Sequence, residues 1–194
     1  MAPIDSLGAL QLPGQSMTQP SGTPHFEIRY EDGGDLPVFV DHLNAETIES
    51  GIYLTVGTLL PRRGDPTEAR TASVQATHFL PVSAIEALYT LTLDFKRHYG
   101  SVGDLHTKEV VSPRYDKPRS DVPMLADFFN CNGTPDGVRL GVGRQSTSTP
   151  NLGVVSATYQ MTIRTMLLLH WIVENLVMLI RRPNGLGGST DTRQ

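Results

Sequence analysis

Hydrophobic and polar residues alternate along several short stretches of this 194-residue chain and give way to a helical period in two places. At 26–30, Phe, Ile and Tyr alternate with Glu and Arg, and a period of two recurs at 52–56 and 74–80. Such alternation predicts half-buried β-strands. At 85–95 and again at 166–180, apolar residues recur at helical spacing, which predicts two helices.

The two predicted helices differ in how much of their circumference is apolar. The first begins near Ser83, which forms a capping-box pattern with Glu86, and carries one apolar stripe. The second, from about Thr162 to Arg181, is apolar nearly all round, with a few ionisable residues inside it. Charges at bilayer depth are costly, so we do not expect this helix to span a membrane. We expect it to be buried between two units or at a subunit interface.

One part of the pattern occurs twice without a gap. Residues 36–57 align with 122–143, so that each residue stands 86 positions before its counterpart, as Pro37 does before Pro123. Further identical pairs are Asp41 and Asp127, Asn44 and Asn130, Gly51 and Gly137, Leu54 and Leu140, Val56 and Val142, and Gly57 and Gly143. A third strand pattern and a long helix follow in both copies. The repeat therefore predicts two tandem β-β-β-α units.

The predicted fold class is α+β, with the two β-β-β-α units packed about a pseudo-twofold axis. Each unit is expected to form an antiparallel sheet with one long helix. We divide the chain into an extended N-terminal arm (1–24), a first unit with an extra N-terminal strand (25–100), a linker (101–121), a second unit (122–182) and a C-terminal tail (183–194). Pro, Gly, Ser and Gln dominate the arm, and the linker combines prolines with mixed charge.

The composition suits a folded centre with irregular ends. Hydrophobic residues make up 39% and charged residues 19% of the chain, with 18 Gly and 14 Pro. The net charge of −4 argues against nucleic acid or an anionic membrane as partner, since both require a basic field. The single cysteine, Cys131, leaves no internal disulfide and favours a reducing compartment. We expect the cytoplasm, or a particle assembled there.

Few residues have a spacing that indicates chemistry. The six histidines form no metal-binding motif, so neither a metal nor a cofactor is predicted. Gly143 belongs to a repeated strand without the other residues of a phosphate loop, so we expect a bulge or close strand packing there. An enzyme is a competing hypothesis, with a site between the units drawn from Asp41, His42, His78 and Asp127. The two aspartates more simply satisfy backbone groups at strand ends.

The first unit resembles a small bacterial family of domains of unknown function. The resemblance is carried by VFVDHLNAETI (38–48), by IYLTVG (52–57), and by SVQATHFLPVSAIEALYTLTLDFKRHYG (73–100), where a strand leads through Pro81 into a helix. The second unit departs from this pattern, because Thr162 stands in place of the proline. The resemblance implies a strand-strand-strand-helix unit without established catalytic residues. In outline the unit is also similar to the SecB-type export chaperones, a likeness of architecture only.

These observations predict a non-enzymatic structural or assembly protein. We expect it to associate with itself or with a protein partner through its apolar C-terminal helix and its extended arms, as a subunit of a phage or virus-like particle would. The predicted interface residues are Met166, Leu169, Trp171, Ile172, Leu176 and Leu179. The alternative is a SecB-like holdase or antitoxin-type chaperone that binds polypeptide at a sheet edge or in an apolar groove.

Overall fold

The computed structural model describes residues 26–61, 70–100, 111–115 and 121–181. The strands are β1 (Glu27–Tyr30), β2 (Pro37–Val40), β3 (His42–Ile48), β4 (Gly51–Leu59), β5 (Arg70–Pro81), β6 (Val111–Arg114), β7 (Met124–Leu125), β8 (Phe128–Thr134), β9 (Gly137–Gln145) and β10 (Leu152–Met161), and the helices are α1 (Val82–Tyr99) and α2 (Ile163–Ile180). We call 26–100 the first half and 111–181 the second half. Five described strands and one helix follow each other in the same order in each half. The fold is α+β, as predicted.

The strands form two five-stranded mixed sheets. In the first sheet β3, β4 and β5 are antiparallel, and β6 and β7 pair with β5 in parallel. In the second sheet β8, β9 and β10 are antiparallel, and β1 and β2 pair with β10 in parallel. Each half therefore gives its first two strands to the sheet that contains the other half's remaining strands.

The expectation of purely antiparallel sheets, each confined to one unit, was wrong. A single residue, Asp41, separates β2 from β3, and two residues separate β7 from β8. One residue is too short a loop for a hairpin, so β2 cannot fold back on β3. The two strands instead enter different sheets.

The segment from 101 to 121, which we expected to be a linker, contains β6 (Val111–Arg114). One further expectation about local structure differs from the structure. The capping box at Ser83 is absent, because α1 begins at Val82 with Pro81 as its N-cap and no side-chain hydrogen bond there. β5 runs directly into the helix, and this moves the helix start before the serine. The predicted arm and tail lie outside the described residues.

The pairing between the last two strands of each half contains an irregularity at an equivalent position. The pairing of β4 with β5 shifts by one residue beside Gly57, and that of β9 with β10 shifts beside Gly143. A Cβ atom on Gly57 would lie 2.6 Å from the carbonyl oxygen of Ser73, and one on Gly143 would clash with the carbonyl of Val154. The bulge and the close packing predicted at Gly143 are both confirmed.

A single hydrophobic core contains residues of both halves. The two helices pack against each other and lie against both sheets, since α1 contacts β4, β5 and β8 and α2 contacts β3, β9 and β10. The largest fully buried apolar side chains are Ile52, Leu80, Ile85, Leu88, Leu140, Met161, Met166 and Leu169. α2 thus packs against elements of both halves, which accounts for most of its apolar circumference.

Candidate interaction surface

The residues predicted to form an interface divide into two groups. Met166, Leu169 and Leu176 are buried in the core of the chain, so they are not accessible to a partner in this fold. Ile172 is half-buried against the core. Trp171 and Leu179 are exposed by 39% and 38% and lie on the outer side of α2. A second molecule could therefore contact only part of the predicted surface.

Four exposed positions in the C-terminal half of α2 form a stripe, which we call the outer stripe of α2: Trp171, Asn175, Met178 and Leu179. Ile163 and Arg164, at the start of the helix, are also exposed. Their spacing of three, four or one residues places them along one side of the helix. Met178, which is 57% exposed, was missed from the sequence because every apolar residue of this helix looked equally suited to burial. The amide Nδ2 of Asn175 donates to the carbonyl of Trp171 at 2.7 Å, which occupies part of its polar group within the helix.

The same positions in α1 have the opposite character. Positions in the two helices are equivalent when they are the same number of residues from the first residue of the helix. The positions in α1 equivalent to the outer stripe of α2, which we call the outer stripe of α1, are Thr90, Asp94, Arg97 and His98. All four are exposed, as are the four residues of the outer stripe of α2. Arg97 Nη1 lies 3.3 Å from Asp94 Oδ1, an ion pair typical of a solvated helix surface. The fold therefore accepts a polar stripe at this place, and an apolar one is not required for folding.

A polar cluster joins the inner sides of the two helices. The Thr92 hydroxyl donates to the Tyr89 carbonyl at 3.1 Å, so it accepts from Nδ1–H of His170 at 2.9 Å. The Tyr89 ring stacks on the imidazole with centroids 5.4 Å apart. Lys96 Nζ lies 2.6 Å from Glu174 Oε1, which is 3.8 Å from the buried Nε2 of His170. Burial lowers the pKa of His170, Glu174 opposes this shift and Lys96 adds to it. The neutral imidazole thus ties α2 to α1.

A second histidine contact joins the sheets. His78 Nε2 on β5 and the Tyr159 hydroxyl on β10 lie 2.7 Å apart, and both side chains are buried. Burial lowers the pKa of His78 to about 4 and raises the pKa of Tyr159. The hydrogen bond consequently links two neutral groups at neutral pH. It occupies Nε2 of His78, one of the residues named in the enzyme hypothesis.

The other residues considered for chemistry have structural partners. Asp41 Oδ1 accepts from the backbone N–H of Leu59 at 2.7 Å, and Asp127 Oδ1 accepts from that of Gln145 at 2.6 Å. Burial lowers the pKa of His42, and Asp41 opposes the shift. Within the described ranges, no three His, Cys, Asp or Glu residues come close enough to hold a metal. The aspartates thus close strand ends, as the simpler interpretation predicted.

Two sheet edges carry exposed apolar residues. In the described part of the chain, β2 is paired as a strand only with β10, and β7 only with β5. The Thr58 hydroxyl donates to the Phe39 carbonyl of β2 at 2.8 Å, so the backbone of β2 is partly hydrogen-bonded outside this pairing as well. The exposed apolar residues at these edges are Leu36, Val38, Phe39, Val122, Met124 and Leu125. The opposite edges, β3 and β8, expose polar residues such as Glu46 and Asn132 instead. Charged residues usually protect edge strands from pairing with other chains, and β2 and β7 contain no charged residue.

By length and composition, α2 is also apolar enough to cross a bilayer, with a mean hydropathy of 1.6 over Ile163–Ile180. However, 44% of that segment is buried inside the chain, and the core helix of a water-soluble protein meets the same criterion. Length and hydropathy alone are therefore weak evidence for a membrane span.

No protein-family model matches the chain, and neither a curated protein nor a solved structure is significantly similar to it. The resemblance of the first unit to a bacterial family and its likeness to the SecB-type chaperones therefore stay predictions. Any functional proposal has to come from the chain's own geometry.

Proposed function

We propose that this protein is a non-enzymatic assembly protein, built from two fused copies of one unit, that associates with a second copy of itself through the outer stripe of α2. The observation that carries the proposal is the difference between the two helices at equivalent positions. Thr90, Arg97 and His98 of α1 stand where Trp171, Met178 and Leu179 stand in α2. Exposed clusters of large apolar side chains on a folded protein indicate an interaction site.

The duplication is supported by contacts that recur in both halves, beginning with the two bulges and the two aspartate contacts. His78 and Tyr159 each stand four residues before a helix, and they contact each other. Tyr89 and His170 are each the eighth residue of a helix, and they stack on each other. Residues that meet their own counterpart lie on a twofold axis. Both pairs therefore favour two copies of one unit related by a pseudo-twofold axis.

A second copy of the chain is the occupant that the chemistry of the stripe favours. The four residues of the stripe carry no charge, and the exposed Arg164 lies two turns before Trp171 on the same side of the helix. An apolar partner therefore gains more from the stripe itself than a strongly charged one. In a symmetric dimer the same patch faces itself. With the two helices antiparallel, Trp171 of one chain would pack against Met178 and Leu179 of the other. Methionine adapts well to such contacts and interacts favourably with aromatic rings.

The test replaces the outer stripe of α2 with the residues of α1. In the triple variant Trp171→Thr, Met178→Arg and Leu179→His, we expect a monomer, whereas the wild-type chain is a dimer at about 10 μM, as expected for a micromolar or tighter dissociation constant. Light scattering coupled to size-exclusion chromatography gives the mass. A matched control, Thr90→Ala with Arg97→Ala on α1, leaves the dimer intact. A wild-type chain that is monomeric up to about 100 μM would refute the proposal.

A larger particle is part of the same proposal, although fewer observations support it. The interpretation as a phage or virus-like particle subunit rests on the composition of 1–24 and 183–194, which lie outside the described residues. The absence of an enzymatic activity and the cytoplasmic location likewise rest on the sequence. Electron microscopy of the wild-type protein at high concentration would distinguish a closed particle from a simple dimer.

A second candidate, polypeptide binding of the holdase type, is favoured by the apolar edges of β2 and β7. An extended segment can add itself to an open edge as a further strand, with backbone hydrogen bonds that do not depend on its sequence. The variant Val38→Lys with Met124→Lys places a charge on each edge. It should abolish any suppression of a client's aggregation, while Glu46→Lys on β3 should leave it unchanged. A wild-type chain that does not slow client aggregation excludes this candidate.

A further inference from the structure

The contact between the two halves is formed by exchanged strands. β2, from the first half, pairs with β10 in the register Thr158 with Pro37 through Met161 with Val40. β7, from the second half, pairs with β5 in the register His78 with Met124. β1 and β6 follow the same rule. In either sheet, the strands of one half cover the edge strand of the other.

Side chains reinforce this contact at several depths. In the centre the His78–Tyr159 hydrogen bond joins β5 to β10, and the polar cluster around His170 joins α1 to α2. Nearer the surface, Arg181 Nη2 lies 3.5 Å from Glu86 Oε1 across the two helices. Buried apolar residues of both halves complete one shared core. The halves are thus related as two subunits of an obligate dimer are related, although they belong to one chain.

We propose that the interface between the halves also fits the complementary half of a second chain, so that two copies exchange halves and form a dimer in which each folded body contains the first half of one chain and the second half of the other. The proposal rests on the duplication inferred above. Every contact within a body is retained in the exchanged dimer, so the two forms differ in free energy only through the connection between the halves and the entropy of association.

The covalent connection is the ten-residue segment 101–110, which lies between α1 and β6. In the unexchanged form this segment connects two halves of the same body, and in the exchanged dimer it connects a half in one body to a half in the other. Because the exchanged and unexchanged forms have the same interface, protein concentration decides between them. The partner in this proposal is a second copy of the chain, because it carries the same β2, β7, α1 and α2 surfaces.

The experiment separates this exchange from association through the outer stripe. It uses the full chain with Trp171→Thr, Met178→Arg and Leu179→His, so that contacts through the stripe are removed, and with a protease recognition sequence within 101–110. Unlabelled and ¹⁵N-labelled chains are unfolded together, refolded at high concentration, and separated by size. The isolated dimer is then cut, and native mass spectrometry gives the mass of each resulting body.

We expect cut dimers to yield bodies of the mass of one chain, about half of which combine a labelled half with an unlabelled half, since chains pair at random. The same chains mixed without unfolding should yield no hybrid bodies. Three results would each overturn the proposal: the refolded mixture contains no dimer, the cut dimer yields bodies of one label only, or the two halves of a cut body separate. Failure of the stripe proposal would be seen in a different experiment: the triple variant of the outer stripe of α2 would have the same mass in solution as the wild-type chain.

Discussion

The two helices occupy equivalent places in the fold and differ most on their outer sides. Apart from the polar cluster around His170, their inner sides are both apolar: Leu88 in α1 and Leu169 in α2 are each the seventh residue of the helix, and both are fully buried. On their outer sides, α1 has a polar stripe and α2 an apolar one. The inner side is therefore determined by packing, and the outer side is available to function.

This comparison matters because the chain provides its own reference. Without a counterpart, an exposed Trp171 would be an ordinary surface residue, since folded proteins expose many apolar atoms. With α1 as reference, the equivalent exposed position holds Thr90. The departure of α2 from that reference is what supports a binding surface, and the following experiments test each side of the comparison.

The largest effect is expected on the inner sides, where the helices should behave alike. Leu88→Ala and Leu169→Ala each remove a fully buried side chain, and each should lower the free energy of unfolding by about 3 kcal/mol, through lost burial and the cavity left behind. Urea unfolding at a fixed protein concentration measures both. Thr90→Ala, at an exposed position on the outer side of α1, is the control. If one of the buried leucines can be truncated without loss, the equivalence of the two inner sides is wrong.

Acid should weaken the contact between the halves at His78. The pKa of His78 is about 4 in the folded chain, against 6.5 for a histidine side chain free in water. The unfolded chain therefore binds the proton first, so stability is complete above pH 6.5 and falls by about 3 kcal/mol as the pH decreases to 4. Urea unfolding between pH 7 and 4 measures this loss.

The double variant His78→Phe with Tyr159→Phe provides the control for the acid effect. It removes the titrating group and the hydroxyl together, so that no buried partner is left unpaired. Its stability should depend less on pH over this range. His170, whose pKa is also lowered, remains and accounts for a residual dependence. A wild-type chain as stable at pH 4 as at pH 7 would contradict the burial of a neutral His78.

The sequence was sufficient where the structure is local. The repeat of 36–57 at 122–143 identified β4 and β9, and the change to a helical period identified both helices. The sequence did not identify β6, because Val111–Arg114 show no clear alternation of apolar and polar residues. They share with the equivalent strand β1 only an Arg-Tyr pair, which stands at 29–30 and at 114–115. A strand held mainly by backbone hydrogen bonds leaves little pattern in its side chains.

The sequence pattern did not predict which strands pair with each other, because strand pairing depends on how distant parts of the chain pack. The parallel pairing of β2 with β10 follows from the single residue Asp41 between β2 and β3, and from where β10 ends in the folded chain. For the same reason the candidate surface was only half predicted. All of α2 looked buried, and only its packing against α1 and both sheets showed that Met178 is outside while Met166 is inside.

A smaller effect is expected from the ion pair between Lys96 and Glu174, which crosses from α1 to α2. The two side chains are partly exposed, so solvent weakens their attraction, and Lys96→Met should lower stability by about 1 kcal/mol. Glu174→Gln and the double variant complete a double-mutant cycle, which isolates the interaction between the two groups. A coupling free energy indistinguishable from zero would reduce the polar cluster to Thr92 and His170.

The smallest effect on stability, and the sharpest test of the comparison, is expected from moving the stripe. Thr90→Trp, Arg97→Met and His98→Leu give α1 the outer residues of α2. These positions are exposed, so the free energy of unfolding should change by no more than about 0.5 kcal/mol per substitution. The chain would then carry two apolar stripes, and light scattering should detect assemblies larger than a dimer, because each stripe can bind another chain. The control Thr90→Gln with Arg97→Lys should keep the wild-type mass. If the transplanted stripe leaves the mass unchanged, three apolar side chains on this helix surface are insufficient for association, and the difference between α1 and α2 needs another explanation.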